Sequence, residues 1–141
     1  MPNSKLLIET DILIAAMDKE DPHHQEARSV ISTSRPILLS PYSLLELDLL
    51  IRSGKIEIED IYAFWNELNE MLRHHNVKII PPKPSYHAEA HNIREKYGLS
   101  YFDSLHAAVA KIEKIPIVSY DRKAYTPVEG LKYIHPENIV H

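Results

Sequence analysis

The 141-residue sequence predicts a three-layer α/β/α fold, with a central parallel sheet of four to five strands between two layers of helices. Short segments that are apolar throughout alternate with longer amphipathic segments. Strands without a polar side are typical of parallel sheets that helices cover on both faces. Only three glycines and ten scattered prolines are present, and no segment has the composition of a linker. Residues 1–141 are therefore expected to form a single domain.

The predicted strands are apolar runs that are too short for independent helices and are bounded by polar residues or prolines. They cover residues 5–8, 36–39, 77–80, 115–118 and 131–134. The predicted helices cover residues 12–17, 25–33, 40–53, 57–73, 85–97 and 101–113. Residues 57–73 carry apolar side chains at three- and four-residue spacing, which is typical of an amphipathic helix. Gly54 and Gly98 mark two helix ends.

The composition limits the chemistry that the chain can perform. Without cysteine there are no disulfides, thiolate metal sites or thiol nucleophiles, which favours a reducing compartment and a cytoplasmic location. No segment approaches the roughly 18 consecutive apolar residues that span a membrane. Sixteen Lys and Arg against 20 Asp and Glu give a net charge of −4. This balance is not typical of proteins that bind nucleic acid through the phosphate backbone.

Acidic residues follow the predicted strands. Glu9 and Asp11 come directly after the first strand, and Glu46 lies in the helix after the second. Asp103 lies near the start of the helix that precedes the fourth strand, and Asp121 follows that strand. Ligands of α/β sheets bind outside the carboxyl ends of the strands. Clustered carboxylates need a cation, and oxygen ligands favour Mg²⁺ or Mn²⁺, the ions typical of phosphate chemistry.

Helix capping is the structural alternative for each of these acids. Ser43 to Glu46 and Ser100 to Asp103 both match the capping-box pattern. Thr10 or Asp11 is a candidate cap for the first helix, and Ser119 or Asp121 for the turn after the fourth strand. Capping alone does not explain why the acids stand beside strand ends.

Four segments of the chain resemble the motifs of the PIN domain family. Residues 6–15 resemble the opening strand and its acidic end, and residues 40–46 resemble the second motif, which ends in a glutamate. Residues 98–108 are the most specific match, and residues 115–123 resemble the strand followed by Ser/Thr-x-Asp. The motifs occur in the family's order and span nearly the whole chain, and the length is similar to that of single-domain VapC-type toxins.

The resemblance implies a metal-dependent endoribonuclease that hydrolyses RNA phosphodiester bonds, usually the toxin of a type II toxin–antitoxin pair. By position, the acidic quartet that holds Mg²⁺ or Mn²⁺ corresponds to Glu9, Glu46, Asp103 and Asp121. The implied partners are an RNA substrate, an antitoxin protein and a second copy of the chain in a homodimer, with the partner surfaces near the helices around the second motif.

Supporting roles are expected beside the quartet. Asp11 is expected to contribute to the same metal site, with Thr10 beside it and Ser119 as the hydroxyl before the last acid. His106 falls three residues after Asp103 on the same helix face. Packing and a supporting contact to the site are both open for His106.

The chain departs from the family pattern at Glu9, where the family has aspartate. The extra methylene moves the carboxylate outward, and Mg²⁺–oxygen distances are narrow, about 2.0–2.1 Å. Glu9 either binds the metal through a different rotamer, or Asp11 replaces it, or activity is reduced. We favour the first, with Asp11 contributing. The third motivates an alternative function, a catalytically weak or silent PIN-like module that binds an antitoxin or RNA.

Two further chemistries have partial sequence signals. A phosphatase or receiver needs a nucleophilic aspartate after a strand, where this chain has Glu9, so Asp11 or Asp121 would have to serve. His87 and His91 are four residues apart on a predicted helix, which is a zinc-ligand spacing. They lack the glutamate next to the first histidine that hydrolytic zinc motifs carry.

Overall fold

Five parallel strands form one sheet in a computed structural model that describes residues 4–139. The strands are Leu6–Ile8 (β1), Ile37–Leu39 (β2), Lys78–Ile79 (β3), Ile117–Val118 (β4) and Tyr133–Ile134 (β5). Their order in the sheet is β3–β2–β1–β4–β5, and every neighbouring pair is parallel. The predicted parallel sheet is confirmed.

The central strand is the most apolar one. Leu6, Leu7 and Ile8 of β1 are completely buried, since β1 pairs with β2 on one side and β4 on the other. Successive side chains of a strand point to opposite faces. Leu6 and Ile8 accordingly join one core cluster and Leu7 joins the other. The edge strand β3 is different, because both of its residues are exposed.

Helices form the outer layers. Those within residues 4–139 are Thr10–Met17 (α1), His24–Ile31 (α2), Ser43–Arg52 (α3), Ile61–His74 (α4), Pro84–Tyr97 (α5), Tyr101–Glu113 (α6) and Arg122–Tyr125 (α7), with a 3₁₀ turn at Pro136–Asn138. Helices α1 to α4 contribute to the core cluster of Leu6 and Ile8, and α5 to α7 contribute to the cluster of Leu7. None of the helices in this part of the chain is long and apolar enough to cross a membrane.

The structure moves two predicted helix starts by three or more residues and adds one helix. Helix α4 begins at Ile61 rather than at residue 57, because the Asp60 side chain accepts a hydrogen bond from the Ala63 N–H and caps the helix. Helix α3 begins at Ser43 rather than at residue 40. Helix α7 was not predicted, since its four residues are too few to show a helical period.

The order of the strands determines where a crevice forms at the edge of the sheet. The chain leaves β1 for β2 on one side, and the later crossover from β3 returns it to β4 on the other side of β1. Such a reversal of direction opens a crevice at the carboxyl ends of the two central strands. Glu9 follows β1 directly, Ser40 follows β2 and Ser119 follows β4. The residues that carry chemistry in the motifs therefore lie at this end of the sheet.

A buried tyrosine links α5 to α6 by a hydrogen bond. Removal of its hydroxyl tests how much this contact stabilises the fold. The Tyr86 hydroxyl donates to Glu113 Oε2 at 2.5 Å, and Lys83 Nζ reaches the same oxygen at 2.8 Å. Tyr86→Phe should lower the free energy of unfolding by about 1–2 kcal/mol, the usual contribution of a hydrogen bond to a charged group. Urea denaturation measures this loss. Tyr62→Phe is the matched control, because Tyr62 is 81% exposed, and an equal loss in both variants would contradict the assignment.

Candidate functional site

Glu9 lies inside the protein rather than at its surface. It is 5% exposed and caps α1, where its Oε1 accepts from the Asp11 N–H at 3.1 Å. Its Oε2 accepts from the Ser119 hydroxyl at 3.1 Å and from the Tyr125 hydroxyl at 3.0 Å. Burial raises the pKa of Glu9, while His106 opposes the rise. The residue that departs from the family pattern is thus held by donors from α1, from the residue after β4 and from α7.

Asp11 shares the Ser119 hydroxyl with Glu9. Its Oδ2 accepts from Ser119 Oγ and from the Tyr120 N–H, both at 2.8 Å. A hydroxyl has one proton, so Ser119 can donate fully to only one of the two carboxylates at a time. Asp11 Oδ1 is buried and has no hydrogen-bond partner within the described residues. Burial and the neighbouring Glu9 raise the pKa of Asp11 to about 8.

Glu46 is fixed by Thr10 and His106. Its Oε1 accepts from Thr10 Oγ1 at 2.5 Å and lies 2.8 Å from His106 Nε2. His106 is fully buried, and its Nδ1 lies 2.7 Å from the Ser40 hydroxyl. Burial lowers the pKa of His106, but the hydrogen bond to Glu46 and the nearby carboxylates outweigh it and raise this pKa. Burial raises the pKa of Glu46, but the contacts to His106 and Thr10 outweigh this effect, and the pKa of Glu46 is lowered.

Asp103 and Asp121 stand at the open side of the cluster. Asp103 Oδ1 is 3.4 Å from the Tyr125 hydroxyl, and burial raises the pKa of Asp103. Asp121 caps α7 by accepting from the Ala124 N–H at 3.1 Å. Both acids line a cleft of about 320 Å³ together with Lys123. The cleft thus places two acids of the cluster beside a basic side chain at the surface.

All predicted site residues are found at this end of the sheet. One oxygen each from Glu9 and Glu46 and one nitrogen of His106 lie within 4.8 Å of one another. Asp11 is linked to Glu9 through Ser119, and Asp103 is linked to Glu9 through Tyr125. Proximity is observed, whereas the roles of these residues as metal ligands remain a prediction.

Sequence reasoning missed Tyr125 and the part played by Ser40. Tyr125 contacts Glu9 across 116 positions of the chain, and it lies in a helix that the sequence does not indicate. Ser40 was expected only at the start of a helix, but it supports His106. For Tyr125, the available signal was its spacing of one helical turn from Asp121, which is too common to identify a contact.

The capping alternative is correct in part. Ser100 caps α6 and Asp121 caps α7, as the pattern predicts. The cap of α1 is Glu9 rather than either residue after it. Ser43 is the first residue of α3 and not its cap. Capping and membership of the acidic cluster are therefore compatible, since Glu9 and Asp121 do both.

The zinc alternative gains no support from the geometry. His87 Nε2 lies 3.2 Å from the Tyr42 hydroxyl, whereas His91 faces Glu95 at 4.0 Å. Over residues 4–139, the two histidines share no group of three ligating side chains.

The site fits a divalent cation. Asp11 Oδ1 is a buried acceptor that lacks a donor among residues 4–139, and such an atom costs free energy unless a partner satisfies it. Burial, and after it the neighbouring carboxylates, raise the pKa values of Glu9, Asp11 and Asp103, so that their ionised forms are disfavoured without a cation. Carboxylate oxygens with at most one imidazole suit Mg²⁺ or Mn²⁺.

Comparison with known proteins identifies the family by sequence. The model of the PIN domain family matches residues 6–127, which include all of the site residues described above. A comparison with curated protein sequences gives no match.

Solved structures with the same fold include three toxin–antitoxin complexes. VapBC2 from Rickettsia felis, bound to a promoter DNA fragment, superposes with a TM-score of 0.73 at 18% identity, covering 93% of this chain and 98% of that chain. A toxin–antitoxin complex from Klebsiella pneumoniae gives 0.70 at 17%, covering 93% and 97%. VapBC-1 from nontypeable Haemophilus influenzae gives 0.69 at 15%, covering 95% and 99%. At these identities the likeness establishes the fold.

The metal-free protein should become less stable as the pH rises. Asp11 holds its proton more tightly when folded, with a pKa of about 8 against an ordinary 3.8, so the free energy of unfolding falls between these values. Asp11→Asn should reduce the difference in unfolding free energy between pH 5 and pH 8 by at least about 1 kcal/mol. Urea denaturation at the two pH values measures it.

Asp48→Asn is the control for this prediction, because Asp48 is an exposed acid on α3. Mn²⁺ should raise the melting temperature of the wild type more at pH 8 than at pH 5, since metal binding requires deprotonated ligands. An unchanged pH dependence in Asp11→Asn would contradict the raised pKa of Asp11.

Proposed function

This chain belongs to the PIN domain family, and we propose that it is a metal-dependent ribonuclease that hydrolyses RNA phosphodiester bonds as the toxin of a type II toxin–antitoxin pair. The observation that carries the proposal is the buried acidic cluster at the carboxyl ends of β1 and β4, with one acceptor left without a donor among the described residues. The fold shared with three toxin–antitoxin complexes supports the biological role.

The residues that would hold Mg²⁺ or Mn²⁺ are those that surround the crevice, namely Glu9, Asp11, Asp103 and Asp121, with Glu46 at its inner side. When bound, a divalent ion supplies Lewis-acid stabilisation of the phosphate charge and makes water more acidic. The protein keeps the carboxylates in place by hydrogen bonds before any ion arrives, because Ser119 and Tyr125 donate to them.

Glu46 is the group best placed to orient a water molecule and accept its proton. Its pKa is lowered by the contacts to His106 and Thr10 against the effect of burial, so it is ionised at neutral pH. The contact of His106 Nδ1 with Ser40 fixes the imidazole ring, and the ring in turn fixes Glu46. A base must be held close to the proton that it removes, and this chain of contacts provides that positioning.

The open cleft would receive the substrate. Asp103 and Asp121 face it, and Lys123 lines the same cleft and supplies a positive charge for a phosphate group. No nucleophilic side chain is required, since water is the attacking group.

An exposed apolar strip on α3 supports the proposed protein partners. Leu45 and Leu49 lie one helical turn apart and are 53% and 47% exposed. The same helix carries Glu46. A surface of this kind suits an antitoxin or the second copy of a homodimer.

A second candidate function follows from the burial of Glu9. Both of its oxygens already accept hydrogen bonds, which reduces their availability to a metal ion. A module that binds an antitoxin or RNA without turnover is the corresponding hypothesis. A large gain in RNA cleavage on Glu9→Asp would support this candidate, and robust cleavage by the wild type would eliminate it.

Asp103→Asn tests the proposed function directly. It removes one charge at the cleft while keeping the size of the side chain, and the loss of a metal ligand should reduce Mn²⁺-dependent cleavage of single-stranded RNA at least about 100-fold. Cleavage is measured on a fluorescent oligoribonucleotide, and growth arrest on expression is measured in parallel. RNA binding by the wild type should require Mn²⁺ or Mg²⁺, because the site is acidic without it.

Asp48→Asn again provides the matched control, since it makes the same chemical change at an exposed position and should retain full activity. The proposal fails if folded wild-type protein neither binds Mn²⁺ nor cleaves RNA. It also fails if Asp103→Asn cleaves as fast as the wild type.

A further inference from the structure

We propose that Tyr125 is a positioning residue of this site and that its hydroxyl and Glu9 form a matched pair. The hydroxyl joins Glu9 to Asp103 and determines where the longer acid of this chain stands in the crevice. The inference rests on the proposed metal site and adds to it a residue that none of the four motifs assigns.

The position of Tyr125 leaves its hydroxyl little freedom. The residue is fully buried, and its ring stacks on Tyr133 with 6.2 Å between the ring centres and 22° between the planes. The Tyr133 hydroxyl donates to the Ser119 carbonyl at 2.7 Å, which ties the second ring to the residue after β4. These contacts hold the ring in place. The Tyr125 hydroxyl therefore lies in a fixed position, 3.0 Å from Glu9 Oε2 and 3.4 Å from Asp103 Oδ1.

Packing alone does not account for a hydroxyl at this point. Phenylalanine would fill the same volume without burying a polar group, and a buried hydroxyl is favourable only when it is hydrogen-bonded. The Tyr125 hydroxyl lies between two carboxylates that would otherwise face each other without a donor at this point. With one proton to give, it donates mainly to Glu9, the nearer acid. It thereby offsets part of the repulsion and sets the separation of the two acids.

The length of Glu9 makes this contact possible. Aspartate at this position would withdraw the carboxylate by about 1.5 Å, the length of one carbon–carbon bond. The present hydroxyl-to-carboxylate distance of 3.0 Å would then exceed hydrogen-bonding range. Tyr125 is consequently a partner for glutamate at position 9 and a poor partner for aspartate.

The experiment is a double-mutant cycle on Mn²⁺ affinity without RNA. Wild type, Tyr125→Phe, Glu9→Asp and the double variant are titrated with Mn²⁺ by isothermal calorimetry. Tyr125→Phe should weaken Mn²⁺ binding about tenfold in the wild-type background, the effect typical of a residue that orients a metal ligand. In the Glu9→Asp background, the same change should weaken binding less than about threefold, because the contact is already lost.

Tyr86→Phe is the matched control, since it removes another fully buried tyrosine hydroxyl that donates to a carboxylate outside the site. It should leave Mn²⁺ affinity unchanged. If Tyr125→Phe binds Mn²⁺ as well as the wild type, the inference is wrong although the metal site stands. An equal loss in both backgrounds would overturn the pairing with Glu9. If the wild type binds no Mn²⁺, both the metal site and this inference fail.

A second measurement decides the matter if Tyr125→Phe does not fold. The buried hydroxyl proton of Tyr125 should exchange slowly and give its own proton NMR resonance. Glu9→Asp should shift or abolish this resonance, and Mn²⁺ should broaden it. A resonance that neither change affects would contradict the inference.

Discussion

The site depends on the convergence of carboxylate groups where the two central strands end. Glu9 and Asp11 follow β1, Ser119 and Asp121 follow β4, and little solvent reaches the innermost carboxylates. Desolvation and mutual repulsion both disfavour such an arrangement. Backbone and hydroxyl donors are accordingly arranged around the cluster, and His106 contacts Glu46. The cluster therefore lowers the stability of the protein in the absence of a cation.

The sheet makes the convergence possible because its central strand is so uniformly apolar. Leu6, Leu7 and Ile8 are buried on both faces, so the strand must lie between two helical layers. A shift in register by one residue would exchange the two faces of the strand and would displace Glu9 from Ser119. The packing of three apolar residues therefore determines where the first acid stands. The helices that follow the strands then bring in Glu46 and Asp103.

The sequence predicted the features that local patterns encode. Apolar runs located all five strands, and acids after the strands located the crevice, since parallel strands end at one edge of the sheet. The start of α4 at Ile61 was not predicted, because the apolar pattern continues into the loop before the Asp60 cap. The contact between Tyr125 and Glu9 was beyond prediction, as it joins positions 116 residues apart and depends on how a four-residue helix packs.

The position of the acidic residues changes the interpretation of the net charge. A net charge of −4 argues against nucleic-acid binding when it is spread over a surface. Five of the 20 acids belong to one crevice, which leaves 15 acids against 16 lysines and arginines in the rest of the chain. The remainder is nearly neutral and provides no strong attraction for a phosphate backbone. In the function proposed above, attraction of an RNA phosphate to this crevice would therefore depend on a bound cation in addition to Lys123, so that one ion would serve both substrate binding and hydrolysis.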